Sequence, residues 1–129
     1  MLRPPMLLID DEPHLAAFVA KAGEMCGYAP RIADGDDDFR HQFVTHHPAL
    51  VALDLGMPGS DGVELLRFLA EQGFTGPVLI ISGFDRRVLE SAFRLGEAQG
   101  LRMVGPLEKP TRLEVLEELL MQLKPTLAQ

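Results

Sequence analysis

Polar residues of three kinds stand past the ends of four apolar runs. Asp10 and Asp11 follow Met6-Leu7-Leu8-Ile9, Asp54 follows Leu50-Val51-Ala52-Leu53, and Ser82 follows Val78-Leu79-Ile80-Ile81. Lys109 stands a few residues beyond Leu101-Arg102-Met103-Val104. Ligands of an open α/β sheet bind outside the carboxyl ends of its parallel strands, so these residues converge at one rim if the runs are neighbouring strands. Three carboxylates, a hydroxyl and an ammonium in one pocket form a charge arrangement that folding alone does not require. Like charges held close raise each other's proton affinity unless a cation sits among them. The residue types therefore predict a metal.

The elements that must position these groups can be read from periodicity. Apolar runs of strand length alternate with segments of helical period from end to end, which predicts a parallel sheet with helices on both faces. Five such repeats are present. A first strand near residues 6–10 leads to Pro13, which suits the first turn of a helix because its missing N–H does no harm there. Leu15, Phe18, Val19, Ala22 and Cys26 recur at helical spacing, and Gly27 ends the helix. The next strand is expected from Tyr28 to Ala33, followed by a weak helix carrying Phe39 and Phe43 one turn apart.

The third strand spans about residues 50–55, and a loop of Gly56-Met57-Pro58-Gly59-Ser60 follows it. Asp61 with Glu64 reads as a capping box for a helix whose buried stripe is Leu65, Leu66 and Leu69. The fourth run, Val78 to Ile81, lacks polar alternation, which suggests burial on both faces and a central place in the sheet. Asp85 is expected to cap a helix reaching about Ala98, and Gly100 resets the chain for the fifth strand. Thr111 with Glu114 reads as another capping box, Leu113, Leu116, Leu119, Leu120 and Leu123 form an apolar face, and Pro125 is expected to limit the last helix.

Composition narrows the function classes. A chain of 129 residues suits one domain, taken as residues 1–129. Its net charge of -7, from 12 basic and 19 acidic side chains, gives no electrostatic reason to expect a nucleic-acid surface. The single cysteine, Cys26, allows no internal disulfide and falls on an apolar stripe, so it is assigned to the core. No apolar stretch approaches the roughly 18 residues of a membrane span, and no signal-peptide pattern opens the chain. A soluble, cytoplasmic protein is expected. His41, His46 and His47 lack the spacing of a helical zinc pair and His14 stands alone, so all four are placed on the surface.

The acidic pair Asp10-Asp11, the run from Asp54 through Leu55-Gly56-Met57-Pro58-Gly59-Ser60 to Asp61-Gly62, then Ser82-Gly83 and Lys109-Pro110, follow one another over nearly the whole chain. Together they resemble the receiver domain of two-component response regulators. The resemblance implies a flavodoxin-like (βα)5 fold, a doubly wound five-stranded parallel sheet of strand order 2-1-3-4-5. It implies that Asp54 accepts a phosphoryl group from a sensor histidine kinase, a phosphotransfer protein or a small phosphodonor. Mg²⁺ is the implied cofactor, held by Asp11, Asp54 and the backbone carbonyl of Gly56, with Asp10 acting mainly through a bound water. Lys109 would set a compact positive charge against one phosphoryl oxygen, and the following Pro110 makes a cis peptide compatible with the sequence. Ser82 would donate its hydroxyl to another oxygen, drawing the loop after the fourth strand inward and shifting the surface around the fourth helix and fifth strand. Such a chain is a phosphoacceptor switch and not a turnover enzyme. Its further implied partners are an effector domain or output protein and a second copy of itself, with neither nucleic acid nor membrane bound by this domain.

The single residues have blander readings as well. Asp10 and Asp11 can open a helix, Asp54 can close a turn, and Ser82 and Lys109 can be ordinary surface groups. Their offsets from Asp54 favour the functional reading. Two features depart from the family. Pro106 occupies the place, three before Lys109, where receivers usually carry a switching aromatic, and Phe84 is a candidate substitute. The stretch from Ser82 to Lys109 is long and resembles receivers attached to cyclic-di-GMP phosphodiesterase domains. Gly56 and Phe84 flank the site without a polar group to orient water, which predicts slow hydrolysis of the phosphoryl form. Two rivals stand beside the switch: a docking module that is never phosphorylated, favoured by Pro106, and a Mg²⁺-dependent phosphohydrolase. The latter needs a second Asp two residues after the nucleophile, where this chain has Gly56.

Overall fold

The computed structural model describes residues 3–55, 62–82, 86–108 and 111–127. Five strands alternate with five helices: β1 Pro5–Ile9, α1 Pro13–Met25, β2 Ala29–Ile32, α2 Asp36–His46, β3 Leu50–Asp54, α3 Gly62–Glu71, β4 Pro77–Ser82, α4 Arg86–Ala98, β5 Arg102–Glu108 and α5 Leu113–Leu127. All strand pairs are parallel and the order is β2-β1-β3-β4-β5, as the alternation and the resemblance predict.

Because successive strand side chains point to opposite faces, each apolar run supplies two cores. Leu7, Ile9, Val51, Leu53, Val78 and Ile80 face α2, α3 and α4, where Phe39, Phe43, Leu65, Leu66, Leu69 and Leu89 meet them. Met6, Leu8, Leu50, Ala52, Leu79 and Ile81 face α1 and α5, packing on Val19, Ala22, Leu116, Leu120 and Leu123. The three inner strands thus carry no polar alternation because neither face meets water. The edge strand β2 is largely exposed and contains Pro30, whose missing N–H is tolerated at an edge.

Most helix boundaries agree with the sequence. Pro13 opens α1, the backbone turns at Gly27 with φ 92°, and α2 forms with Phe39 and Phe43 buried. Cys26 is buried as expected. His14, His41 and His47 are exposed and His46 is half-buried. The expected caps Asp61 and Asp85 lie outside the described residues. Three local expectations change. The Thr111 hydroxyl, read from the sequence as a cap of α5, donates to the carbonyl of Glu108 at 2.8 Å, linking the start of α5 back to the end of β5. Helix α5 continues through Pro125 to Leu127, since a proline in a final turn removes only one helical hydrogen bond.

The third change is β5, which is longer than its apolar run. Its register passes from Leu79 opposite Val104 to Ile81 opposite Leu107, so Gly105 and Pro106 together oppose Ile80 in a bulge. Gly105 has φ 99°, a conformation that disfavours side chains, and the Gly105-Pro106 peptide is cis. The sequence suggested a cis bond at Lys109-Pro110, which lies outside the described residues.

Two packing details give tests of stability. A Cβ built on Gly76 would lie 2.3 Å from the carbonyl oxygen of Ala49, a backbone atom that cannot swing away. Gly76→Ala is therefore expected to lower unfolding free energy by about 2 kcal/mol, read by urea denaturation. Tyr28 is fully buried and its hydroxyl donates to the carbonyl of Leu120 at 2.8 Å, tying the residue just before β2 to α5. Burial, with a smaller contribution from the nearby Cys26, pushes its pKa from 10.0 up to about 12. The folded state then holds this proton more tightly than the unfolded chain. Stability from Tyr28 should be intact below about pH 10 and fall as pH rises toward about 12. In Tyr28→Phe that alkaline decline should flatten, at a loss of about 1 kcal/mol at neutral pH.

Candidate functional site at the carboxyl ends of the strands

The strand order brings the ends of β1, β3, β4 and β5 side by side. Ile9 pairs with Leu53, so Asp10 and Asp54, the next residue on each strand, are neighbours across the β1–β3 ladder. Asp54 pairs in turn with Ile81, and Ser82 with Glu108. Adjacent strands lie about 4.8 Å apart, so Asp10, Asp54 and the Ser82 backbone occupy consecutive positions along one rim. The side chain of Ser82, and all of Gly56 and Lys109, lie outside the described residues. Lys109 directly follows Glu108 in the chain.

Burial separates these carboxylates from ordinary surface acids. Among the described residues the buried charged side chains are Asp10, 8% exposed, and Asp54, 4% exposed. Charged groups are almost never fully buried unless a partner offsets the loss of water. That both belong to the same rim marks it as a site. Asp10 is held in place by the Glu12 backbone N–H, which donates to its Oδ1 at 3.0 Å.

Carboxylate oxygens of Asp10, Asp11 and Glu12 all lie within 4.8 Å of one another, with Asp11 and Glu12 exposed. Asp54 is outside that close group and sits one strand over. Hard oxygen donors at such spacing suit a small divalent cation, which keeps several waters and takes few protein carboxylates. Glu12 was not singled out in the sequence, where only the pair Asp10-Asp11 was. The signal for it was the unbroken acidic triplet Asp10-Asp11-Glu12. Its side chain makes no capping hydrogen bond to α1.

Residues 6–121 match the family model of the response regulator receiver domain. The chain belongs to the response regulator receiver family. Receiver domains are signalling modules, and they bind Mg²⁺ at an acidic pocket of this kind. The chain is 30% identical over 117 residues to the cyclic di-GMP phosphodiesterase RocR of Pseudomonas aeruginosa, a match covering 89% of this chain and 30% of that protein. It is 37% identical over 78 residues to the C4-dicarboxylate transport transcriptional regulatory protein DctD of the same species, covering 60% of this chain and 17% of the relative. A solved response regulator from Colwellia psychrerythraea superimposes with a TM-score of 0.79 at 27% identity, covering 97% of this chain and 99% of the other. The chain spans less than a third of the length of these two curated relatives. Response regulators of this group thus include proteins with further effector regions, one of them a phosphodiesterase. No described helix is long and apolar enough to cross a membrane.

Proposed function

We propose that this chain is a single receiver domain, residues 1–129, acting as a phosphorylation-controlled switch in which Asp54 is the phosphoacceptor. The observation that supports this most is the buried Asp54 carboxylate at the end of β3, one strand from the Asp10, Asp11 and Glu12 group. A carboxylate is a modest nucleophile toward phosphorus, and positioning with charge neutralisation supplies most of the rate in phosphoryl transfer. An Asp54 oxygen attacks in line, its new bond to phosphorus forms as the bond to the donor's imidazole nitrogen breaks, and that nitrogen departs with the electron pair. Mg²⁺ held by Asp11, Asp54 and the Gly56 carbonyl, with Asp10 acting mainly through a bound water, would neutralise charge on the phosphoryl oxygens.

Lys109 then pairs with one phosphoryl oxygen as a point charge, and Ser82 donates its hydroxyl to another. Ser82 ends β4 directly opposite Glu108 on β5, so a pull on its side chain is transmitted to the β4–β5 pair and to α4, which packs on β5. With Pro106 in the bulge, that shift of the α4 and β5 surface proceeds without an aromatic rotamer at this position. The proposed donor is a histidine kinase or phosphotransfer protein of the cytoplasm, and the output an effector region such as the phosphodiesterase of the relative RocR.

Incubation with acetyl phosphate and Mg²⁺, followed by intact-mass analysis and peptide mapping, tests the proposal. A single added phosphoryl on Asp54 is expected. No uptake would leave the docking module as the better description, and steady release of phosphate from small phosphoesters would favour the phosphohydrolase. Once formed, the phosphoryl form should hydrolyse slowly for a receiver, because Gly56 and Phe84 bring no polar side chain to orient water. Single-turnover decay is the measurement, and substitution of Gly56 by Asn or Glu should speed it.

A further inference from the structure

At the opposite rim of the sheet, where the strands begin, a cleft of about 500 Å³ opens between the end of α2, the α3–β4 loop and the start of β5. One wall is aromatic. Phe43 packs edge-on against both Phe68 and Phe74 with ring centroids 5.5 Å apart in each pair, which fixes the half-buried Phe74 ring in place. Val44, on the lip, is 54% exposed, an apolar surface that the core does not use. The floor is stiff, since the Gly76 backbone lies directly against the Ala49 carbonyl.

The electrostatics of this cleft oppose those of the chain. The protein carries a net charge of -7, yet among the described residues no Asp or Glu lines the cleft, whereas Arg102 and His47 do. Arg102 is exposed at the first position of β5, and its planar guanidinium offers a two-pronged fork matched to a carboxylate. Thr75 and Gln72 add polar groups to the same lining. Ligand clefts typically combine about 300–1,000 Å³ of mostly apolar wall with a few fixed polar groups, and this one has that composition.

We infer that this cleft is a binding site for a small planar aromatic carboxylate, its ring against Phe74 and its anion on Arg102. The ring would replace water on Phe74, Val44 and the neighbouring prolines, and the carboxylate would be favoured by the local absence of negative charge. The site lies the length of β3 from Asp54, on the order of 13 Å, so occupancy leaves the carboxyl-end rim open.

The test is a titration of 1-naphthoate into the ¹⁵N-labelled full chain, with the uncharged 1-naphthylmethanol in parallel. Saturable shifts are expected in the amides of Ala49, Phe74, Gly76 and Arg102, with the anion binding roughly tenfold more tightly than the alcohol. Arg102→Gln should bring the anion down to the alcohol's affinity, and Val44→Asp, at a position 54% exposed, should weaken the anion more than the alcohol. The inference is overturned by the absence of saturable shifts at millimolar 1-naphthoate, by shifts centred elsewhere, or by equal binding of both probes that Arg102→Gln does not change.

Discussion

Asp54→Asn incubated with acetyl phosphate and Mg²⁺ is expected to gain no phosphoryl mass under conditions that load the wild type fully. The amide has nearly the volume of the carboxylate, so the packing around a residue only 4% exposed at the end of β3 is preserved. The change removes the anionic oxygen proposed to attack phosphorus, and among the described residues the nearby carboxylates stand elsewhere: Asp10 on the neighbouring strand end of β1, and Asp11 exposed to solvent. Loss should therefore be complete and not partial. The same substitution should raise metal-free stability by ~1 kcal/mol, because it removes one of the negative charges clustered at the proposed site. For a chain of this size that is about 4 °C in melting temperature. Residual labelling of Asp54→Asn at an acid elsewhere would falsify the assignment, whereas a misfolded variant would be recognised by its altered circular dichroism.

Mg²⁺ is expected to stabilise the wild-type chain, by about 2.7 kcal/mol when its concentration is a hundred times the dissociation constant. The effect follows from linkage: an ion that binds only where Asp10, Asp11 and Asp54 are assembled binds the folded state alone. Asp11→Asn is the sharpest probe because Asp11 is exposed and its substitution leaves both cores untouched. Affinity should fall at least about tenfold, and the thermal upshift at a fixed Mg²⁺ concentration should shrink accordingly. Chelation should also stop phosphoryl uptake by the wild type. An Asp11→Asn protein with unchanged Mg²⁺ affinity would place the ion elsewhere, while phosphoryl uptake that persists in excess chelator would show that Asp54 needs no cation.

The residues for both tests were legible in the sequence because each stands at the end of an unbroken apolar run. Such runs as Val78 to Ile81 are buried on both faces, and a polar residue that interrupts one marks the point where the strand leaves the core. Helices were equally legible where their apolar stripes were regular, as in Leu116, Leu120 and Leu123. Legibility failed where local chemistry was overridden by neighbours. The apolar run ends at Val104, yet β5 continues through Gly105 and Pro106 in a bulge, because an edge strand has a side that needs no donors. Thr111 fits a capping pattern, but its hydrogen bond back to the carbonyl of Glu108 could not be read from that pattern.

Pattern and spacing alone determined that this chain is a five-fold β–α repeat with carboxylates at two strand ends, since burial on alternating faces leaves a periodic imprint along the chain. Which strand lies beside which was decided by tertiary structure, because hydrogen-bonded register joins residues distant in sequence. That register makes Asp10 and Asp54 neighbours and lets both be buried. The packed sheet also assembles Phe43, Phe74 and Arg102 around one cleft from three separate segments. A one-dimensional pattern records which side of an element is buried, but only the packed sheet fixes what each buried or exposed group faces.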